Sequence, residues 1–309
     1  MIEILALILG VGCAAAGGEL FVRGAVGIAH RLRVPPGIIG ATVVAFATSS
    51  PELSVSASAA LAGHPQIGLG DALGSNVVNI ALVLGLTLIV AGQRDARVSL
   101  KRDYPVALLV PAITALLLVD GVLSRLDGLL MLGAFTAWLA AAIAEARRAR
   151  SSAEQVLGLR RAWMANVHGA LGLALLVAAS QLIVYGARAL ALSFGVDEFI
   201  IGATIVAVST SAPELATALV ARLRGHDELS LGTLLGSNIF NGLFIVAVAA
   251  LIQPIAVGWG EVAVALGFGV VALAVVSPWF GGALDRRRGV LLLALYVVYV
   301  AALFQLRPA

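Results

Sequence analysis

Gly40-Ala-Thr-Val-Val-Ala-Phe-Ala-Thr-Ser-Ser-Pro-Glu52-Leu sets one carboxylate beside a proline, hydroxyls and small residues inside a long apolar segment. A glutamate in such a segment is a functional-site hypothesis by default. The stretch recurs as Gly202-Ala-Thr-Ile-Val-Ala-Val-Ser-Thr-Ser-Ala-Pro-Glu214-Leu, which matches Glu52 to Glu214 at an offset of 162 positions. The same offset pairs Leu61-Ala-Gly-His64 with Leu223-Arg-Gly-His226, and Gly74-Ser-Asn76-Val-Val-Asn79 with Gly236-Ser-Asn238-Ile-Phe-Asn241. One offset held across these motifs means two copies of one unit.

The 309 residues are 61% hydrophobic and 12% charged, with a mean hydropathy of +1.03. A soluble domain carries about 25% charged residues, so this is an all-α integral membrane protein embedded in a lipid bilayer. Cys13 stands alone, which excludes an intrachain disulfide or a cysteine metal site. The net charge of +3 does not signal a nucleic-acid partner, because its meaning depends on where the arginines lie relative to the bilayer. Nothing in the composition sets an oligomeric state. The N-terminus lacks the basic segment of a cleaved signal, so the first apolar run reads as a mature membrane helix.

Ten apolar stretches approach or exceed the span length of about 20 residues: 3–29, 36–62, 66–91, 104–120, 128–146, 164–193, 198–222, 227–253, 258–279 and 288–306. Placing alternate loops on one face puts sixteen of the twenty Lys and Arg residues there, from Arg31 and Arg33 in the first loop to Arg286, Arg287 and Arg288 in the last. The other face receives only Arg125 and Arg307. By the positive-inside rule both termini are then outside. Each copy holds an odd number of helices, so the second crosses in the opposite sense. The expected organisation is a first five-helix repeat over 1–146 (motifs 40–85), a cytoplasmic linker over 147–162, and an inverted five-helix repeat over 163–309 (motifs 202–247). Inverted repeats are an architecture of secondary transporters, with substrate held near the midplane where the repeats meet.

Pro51 and Pro213 each remove an N–H from a helix, which predicts discontinuous motif helices and a carbonyl, Ala47 or Ser209, without its usual partner. Broken backbone at membrane depth is tolerated where it is buried in protein or lines a watery cavity. Thr48, Ser49 and Glu52 share one side of the helix, as do Thr210, Ser211 and Glu214. Ser75 and Asn79 are i, i+4 neighbours, as are Ser237 and Asn241, and each pair directs a hydroxyl and an amide toward one point or serves as polar glue between helices. Gly68, Gly70, Gly74, Gly232 and Gly236 are read as close-approach positions. Asn76 and Asn238, about 100° around the helix, are assigned to satisfying helix ends. Such an oxygen-only set suits hard cations such as Ca²⁺ or Na⁺, whereas zinc or copper would call for His or Cys. Glu3, Glu19, Asp71 and Glu261 lack acidic counterparts in the other copy and are read at most as lining an access path. His64 and His226 are read as turn residues, and Arg23 and Arg188 as snorkelling.

These motifs resemble the two α-repeats of the sodium/calcium exchanger (cation/calcium antiporter) superfamily, and the ten-helix layout is similar to its prokaryotic members over essentially the whole chain. The resemblance implies that Glu52 and Glu214 chelate Ca²⁺ with backbone oxygens of Thr48 and Thr210. It implies that sodium sites use Ala45, Ser49, Ala207 and Ser211 with the carboxylates, and that Ser75, Asn79, Ser237 and Asn241 complete the cluster. No cofactor is implied beyond the transported Ca²⁺ and Na⁺, and the setting is the inner membrane of a prokaryote. The sequence departs from the family's usual glycine at Ala47 and Ser209, and from its usual leucine at Ser50 and Ala212. Position 241 is Asn where some relatives carry Asp, which leaves two carboxylates in the motifs. Exchange of Ca²⁺ for Na⁺ is the expected activity. Proton/calcium exchange is the alternative, with a cation channel or an intramembrane hydrolase as other classes. A hydrolase would need a base, and neither motif helix contains His.

Overall fold

Ser49 and Ser211 are where the two motif helices break, with φ/ψ of −83°/14° and −81°/7°. Matched residues thus adopt the same sparsely populated backbone geometry, one associated with functional residues. The computed structural model describes residues 2–32, 34–63, 65–91, 97–152, 162–193, 207–277 and 284–305. A long first helix, α1 (Ile2–Leu32), precedes the first motif helix, which runs as α2 (Pro36–Ile39), a π-helical turn (Gly40–Val44), α3 (Ala45–Thr48) and α4 (Ser50–Leu61). Next come α5 (Pro65–Val77), a π-helical stretch (Val78–Leu84) and α6 (Gly85–Ala91), then α7 (Arg97–Leu117) and α8 (Arg125–Ser152). The second copy contributes α9 (Ala162–Ser193), α10 (Ala207–Thr210), α11 (Ala212–Leu223), α12 (Asp227–Ile239), a π-helical stretch (Phe240–Ile245) and α13 (Val246–Ile252). It ends with α14 (Trp259–Val276) and α15 (Arg286–Gln305).

By length and composition four described segments can cross a membrane: Ile8–Ala29, Pro65–Ala91, Arg125–Arg148 and Asp227–Ile252. The pair Pro36–Thr48 and Ser50–Leu61, bent by 44° at Ser49, makes a fifth. The expected stretch 198–222 lies partly outside the described residues, as does most of the linker; α8 itself continues to Ser152. α7 starts at Arg97, ahead of the expected 104, and carries Pro105 and Pro111 inside it.

Apolar side chains form the surface of this molecule as well as its core. Leu116, Val119, Leu129, Leu130, Val297 and Val298 are all exposed, while Glu52, Glu214 and the hydroxyls and amides of Thr48, Ser49, Ser75, Asn79, Thr210, Ser211, Ser237 and Asn241 are buried. That inversion of the soluble pattern is what a hydrocarbon solvent selects.

Small residues set the closest helix contacts. A Cβ at Gly232 would lie 2.5 Å from the Gly37 carbonyl oxygen, and one at Gly236 would overlap the Ala41 backbone, so α12 of one copy lies against the motif helix of the other. Gly70 departs from the expectation, since its missing Cβ faces open space. The long helices α1 and α9 are each other's most extensive partners. A Cβ on Gly24 would sit 2.8 Å from Ala165 O, and a Cβ on Gly172 would sit 2.7 Å from the Phe21 Cα. Phe21, Val22, Ala25 and Leu176 of this pair share a second apolar cluster with Ile39 and Val44 of the first motif helix, Ala221 of α11 and Leu229 of α12.

Two-residue strands, β1 (Val122–Leu123) and β2 (Ile255–Ala256), pair antiparallel, and Gln66 Nε2 donates to Ala256 O at 3.1 Å. Three connections that the alternating arrangement assigns to one face therefore meet. Near the opposite ends of α7 and α8, Arg102 Nη1 donates to Glu145 Oε2 at 3.0 Å.

Candidate ion-binding site

The breaks at Ser49 and Ser211 aim each motif's hydroxyl at the other motif's acid. Ser49 Oγ donates to Glu214 Oε1 at 3.0 Å, and Ser211 Oγ donates to Glu52 Oε1 at 3.4 Å. Both carboxylates are fully buried, and the second oxygen of each, Oε2, has no hydrogen-bond partner. A buried carboxylate satisfied on one side alone costs several kcal/mol unless positive charge meets it. Among the described residues no salt bridge involves either glutamate, so no basic side chain neutralises the pair, and a bound cation or a proton is what can.

Around this pair the backbone is matched. Ser49 N donates to Ala45 O at 3.0 Å and Ser211 N to Ala207 O at 3.1 Å, and each carbonyl also has a threonine hydroxyl in reach, Thr48 Oγ1 at 3.3 Å and Thr210 Oγ1 at 3.1 Å. Thr48 Oγ1 bonds back to Val44 O (3.1 Å), and Thr210 Oγ1 to Ala207 O (3.1 Å). The Ala47 carbonyl expected to be free accepts from Ser50 Oγ at 2.5 Å, so the proline's vacancy is filled locally by the residue before it.

Ser237 Oγ donates to Glu214 Oε1 at 3.1 Å, whereas its counterpart Ser75 has Thr210 as its partner, Oγ to Oγ1 at 3.5 Å. Asn79 Nδ2 donates to Asn238 Oδ1 (3.2 Å), leaving Asn79 Oδ1 unpartnered, and Asn241 is buried with neither side-chain polar atom bonded. Both asparagines lie in the π-helical stretches, a form enriched at functional sites. The twelve expected residues, Ala45, Thr48, Ser49, Glu52, Ser75, Asn79, Ala207, Thr210, Ser211, Glu214, Ser237 and Asn241, are all buried. Hydrogen bonds join ten of them across or within the repeats: Ala45, Thr48, Ser49, Glu214 and Ser237; and Glu52, Ser211, Ala207, Thr210 and Ser75.

Asn76 and Asn238 do not serve helix ends. Asn76 Nδ2 donates to Asn238 O (3.1 Å) and Asn238 Nδ2 to Asn76 O (3.0 Å), a reciprocal clasp between the copies at their 162-residue offset. Side chains facing away from the cage thus face the equivalent helix, where each amide nitrogen reaches the other residue's backbone carbonyl. Asp71, expected at most along an access path, is buried beside Thr210, whose Oγ1 lies 3.4 Å from Asp71 Oδ1. Its signal in the sequence was the i, i+4, i+8 run of Asp71, Ser75 and Asn79. Glu19 lies on α1 and bonds Arg224 beyond α11 (Nε to Oε2, 2.8 Å) and Arg23 (2.6 Å), so Arg23 is paired and does not merely snorkel. His226 sits in the turn before α12; His64 and the side chains of Glu3, Arg188 and Glu261 lie outside the described residues.

No group of three or more His, Cys, Asp and Glu side chains is placed to hold a metal ion among the described residues. A divalent ion at the glutamate pair would therefore complete its shell with neutral oxygens, as a hard cation accepts.

Comparison with known proteins agrees over the whole length. The protein CaxA of Alkalimonas amylolytica, to which antiport is ascribed, is 38% identical over 299 residues, covering 93% of each chain. The inner membrane protein YrbG of Escherichia coli is 35% identical, covering 89% of this chain and 88% of its own. The sodium-calcium exchanger NCX_Mj, in a structure soaked with Na⁺ and Sr²⁺, superposes with a TM-score of 0.84 at 31% identity, covering 97% of this chain and 99% of that one. Residues 2–144 and 167–305 both match the family described as sodium/calcium exchanger protein. The chain is thus a multi-pass membrane transporter and not an enzyme, and it belongs to the sodium/calcium exchanger family within the cation/calcium antiporter superfamily.

Proposed function

We propose that this chain is a secondary antiporter that moves Ca²⁺ out of a prokaryotic cell against entering Na⁺, by alternating access to one cage. The observation that carries the reading is the crossed pair of bonds, Ser49 to Glu214 and Ser211 to Glu52, each leaving a buried carboxylate oxygen for a cation. Two carboxylates near one point repel each other in a poorly screened site, so either one Ca²⁺ or sodium ions can neutralise the pair. Each loading excludes the other, which is what exchange requires. Glu52, Glu214 and the backbone oxygens of Thr48 and Thr210 take the Ca²⁺, and Ala45, Ser49, Ala207 and Ser211 with the carboxylates take Na⁺. Ser75, Asn79, Ser237 and Asn241 complete the surround.

Ten spans in two inverted halves, 1–146 and 163–309 about the linker 147–162, place this cage near the midplane with both termini outside. The reciprocal Asn76–Asn238 clasp and the meeting of Gln66, β1 and β2 support that arrangement. α1 and α9, each other's most extensive partners, are the pair that rocks against the motif helices. In Ca²⁺-loaded proteoliposomes, external Na⁺ should release Ca²⁺ while K⁺ or a pH jump alone does not. Release driven by the pH jump, or a conductive leak without countertransport, would overturn the assignment.

A further inference from the structure

We propose that Asp71 is an additional cation-binding group: with the hydroxyls of Thr210 and Ser75 it forms a station for one monovalent hard cation beside the glutamate pair. The proposal rests on the cation-exchange reading above and adds a residue which that reading leaves unused.

Asp71 is 3% exposed, so it is not a residue at the lip of an access path. On α5 it lies one turn before Ser75 and two before Asn79, on the same face. Its Oδ1 is 3.4 Å from Thr210 Oγ1, and that hydroxyl is 3.5 Å from Ser75 Oγ, so three oxygens of different residues gather from both repeats. Thr210 also has the Ala207 carbonyl as an acceptor at 3.1 Å, and one hydroxyl proton cannot fully serve both. Asp71 Oδ2 has no hydrogen-bond partner, and no salt bridge among the described residues includes Asp71. An apolar surround with one long hydroxyl bond does not hold a carboxylate charge unaided. The donors are all oxygen, which selects a hard cation.

The preference for a single charge follows from two observations. Asp71 does not gather with Glu52 and Glu214 into a three-acid metal site, so it presents one negative charge with neutral oxygens. The matched position in the second copy is Thr233, whose hydroxyl bonds back to Leu229 O at 2.8 Å. The fold therefore fills this place without any charge, and a structural role does not account for the acid. Charge counting gives the consequence: Glu52 and Glu214 balance one divalent ion, while Asp71 adds one charge that a monovalent ion balances.

The test compares wild type, Asp71→Asn and Asp71→Thr in Ca²⁺-loaded proteoliposomes, reading Ca²⁺ release against external Na⁺, with equilibrium Ca²⁺ binding to the detergent-purified proteins alongside. Asp71→Thr installs the residue the second copy already carries, and it decides the matter if Asp71→Asn does not fold. Both variants should need about tenfold more Na⁺ for half-maximal release, with a lower Hill coefficient for Na⁺ and a Ca²⁺ affinity moved by less than about threefold. Asp71→Glu, which keeps the charge, should recover most of the Na⁺ response. Unchanged Na⁺ dependence, or Na⁺ and Ca²⁺ affinities falling together, would overturn the proposal while wild-type exchange left the reading above intact. A wild type without Na⁺-driven release would remove that reading and this proposal with it.

Discussion

The two copies of the motif share a backbone and differ in how each holds its acid. Ser49 and Ser211 have backbone angles within about ten degrees of each other and the same flanking hydrogen bonds. Glu214 nevertheless accepts from two serines, at 3.0 and 3.1 Å, while Glu52 accepts from one at 3.4 Å. On the first copy's helix α5, Asp71 and Ser75 turn to Thr210 instead. Duplication thus supplies a symmetric scaffold, and single side chains make the two half-sites unequal. A cage that binds a divalent ion in one state and monovalent ions in another benefits from that inequality, because the two loadings distribute charge differently.

The largest expected effect tests what the halves share. Glu52→Gln and Glu214→Gln should each cut Na⁺-driven Ca²⁺ flux by at least about a hundredfold, since each removes half of the charge that binds the ion. Monodisperse elution in detergent should persist in both, because neither acid has a salt-bridge partner among the described residues. Flux within about threefold of wild type in either variant would break the shared-cage account.

The clasp gives the next effect, and it is read in stability. Asn238→Ala removes a donor to Asn76 O and an acceptor for Asn79, so it should cost about 2–3 kcal/mol. Asn76→Ala loses a single bond to Asn238 and should cost about 1–2 kcal/mol. Detergent-phase thermal unfolding should rank Asn238→Ala below Asn76→Ala, and the reverse order would contradict the geometry.

A finer contrast lies in the matched serines. Ser237→Ala removes a bond to Glu214, worth about 1–2 kcal/mol to a charged acceptor, and should weaken Ca²⁺ binding about tenfold. Ser75→Ala lacks that contact and should weaken Ca²⁺ binding less. Smallest is Glu19→Gln, which loosens the exposed ion pair of α1 with Arg224 and should change stability by under about 1 kcal/mol. If Glu19→Gln alters turnover severalfold instead, that contact acts on the rocking of α1.

Reading the sequence located the scaffold better than the inequalities. The single offset of 162 finds both breaks, helix spacing groups the hydroxyls, amides and acids, and the resemblance to the exchanger motifs adds Ala45 and Ala207; all twelve expected residues are buried. What the offset cannot find is a feature present once. Asp71 pairs with Thr233 at that offset, so a search for matched acids passes over it, although the asymmetry is what distinguishes it. For Asn76 and Asn238 a helical wheel gives a direction without saying which neighbour lies there, so their clasp is not legible from spacing. The π-helical stretches at Val78–Leu84 and Phe240–Ile245 leave no compositional mark, because a π turn changes hydrogen bonding without requiring a particular residue. The pairing of β1 with β2 involves two residues on each side, too few for any period to register.

The central claim is that both copies build one cage whose occupants exclude one another, and competitive equilibrium binding tests it most directly. Radioactive Ca²⁺ bound to the purified protein in detergent should be displaced completely by Na⁺, and Glu52→Gln and Glu214→Gln should each abolish the binding. Ca²⁺ that stays bound at saturating Na⁺, or that binds normally to either glutamine variant, would contradict a single shared site.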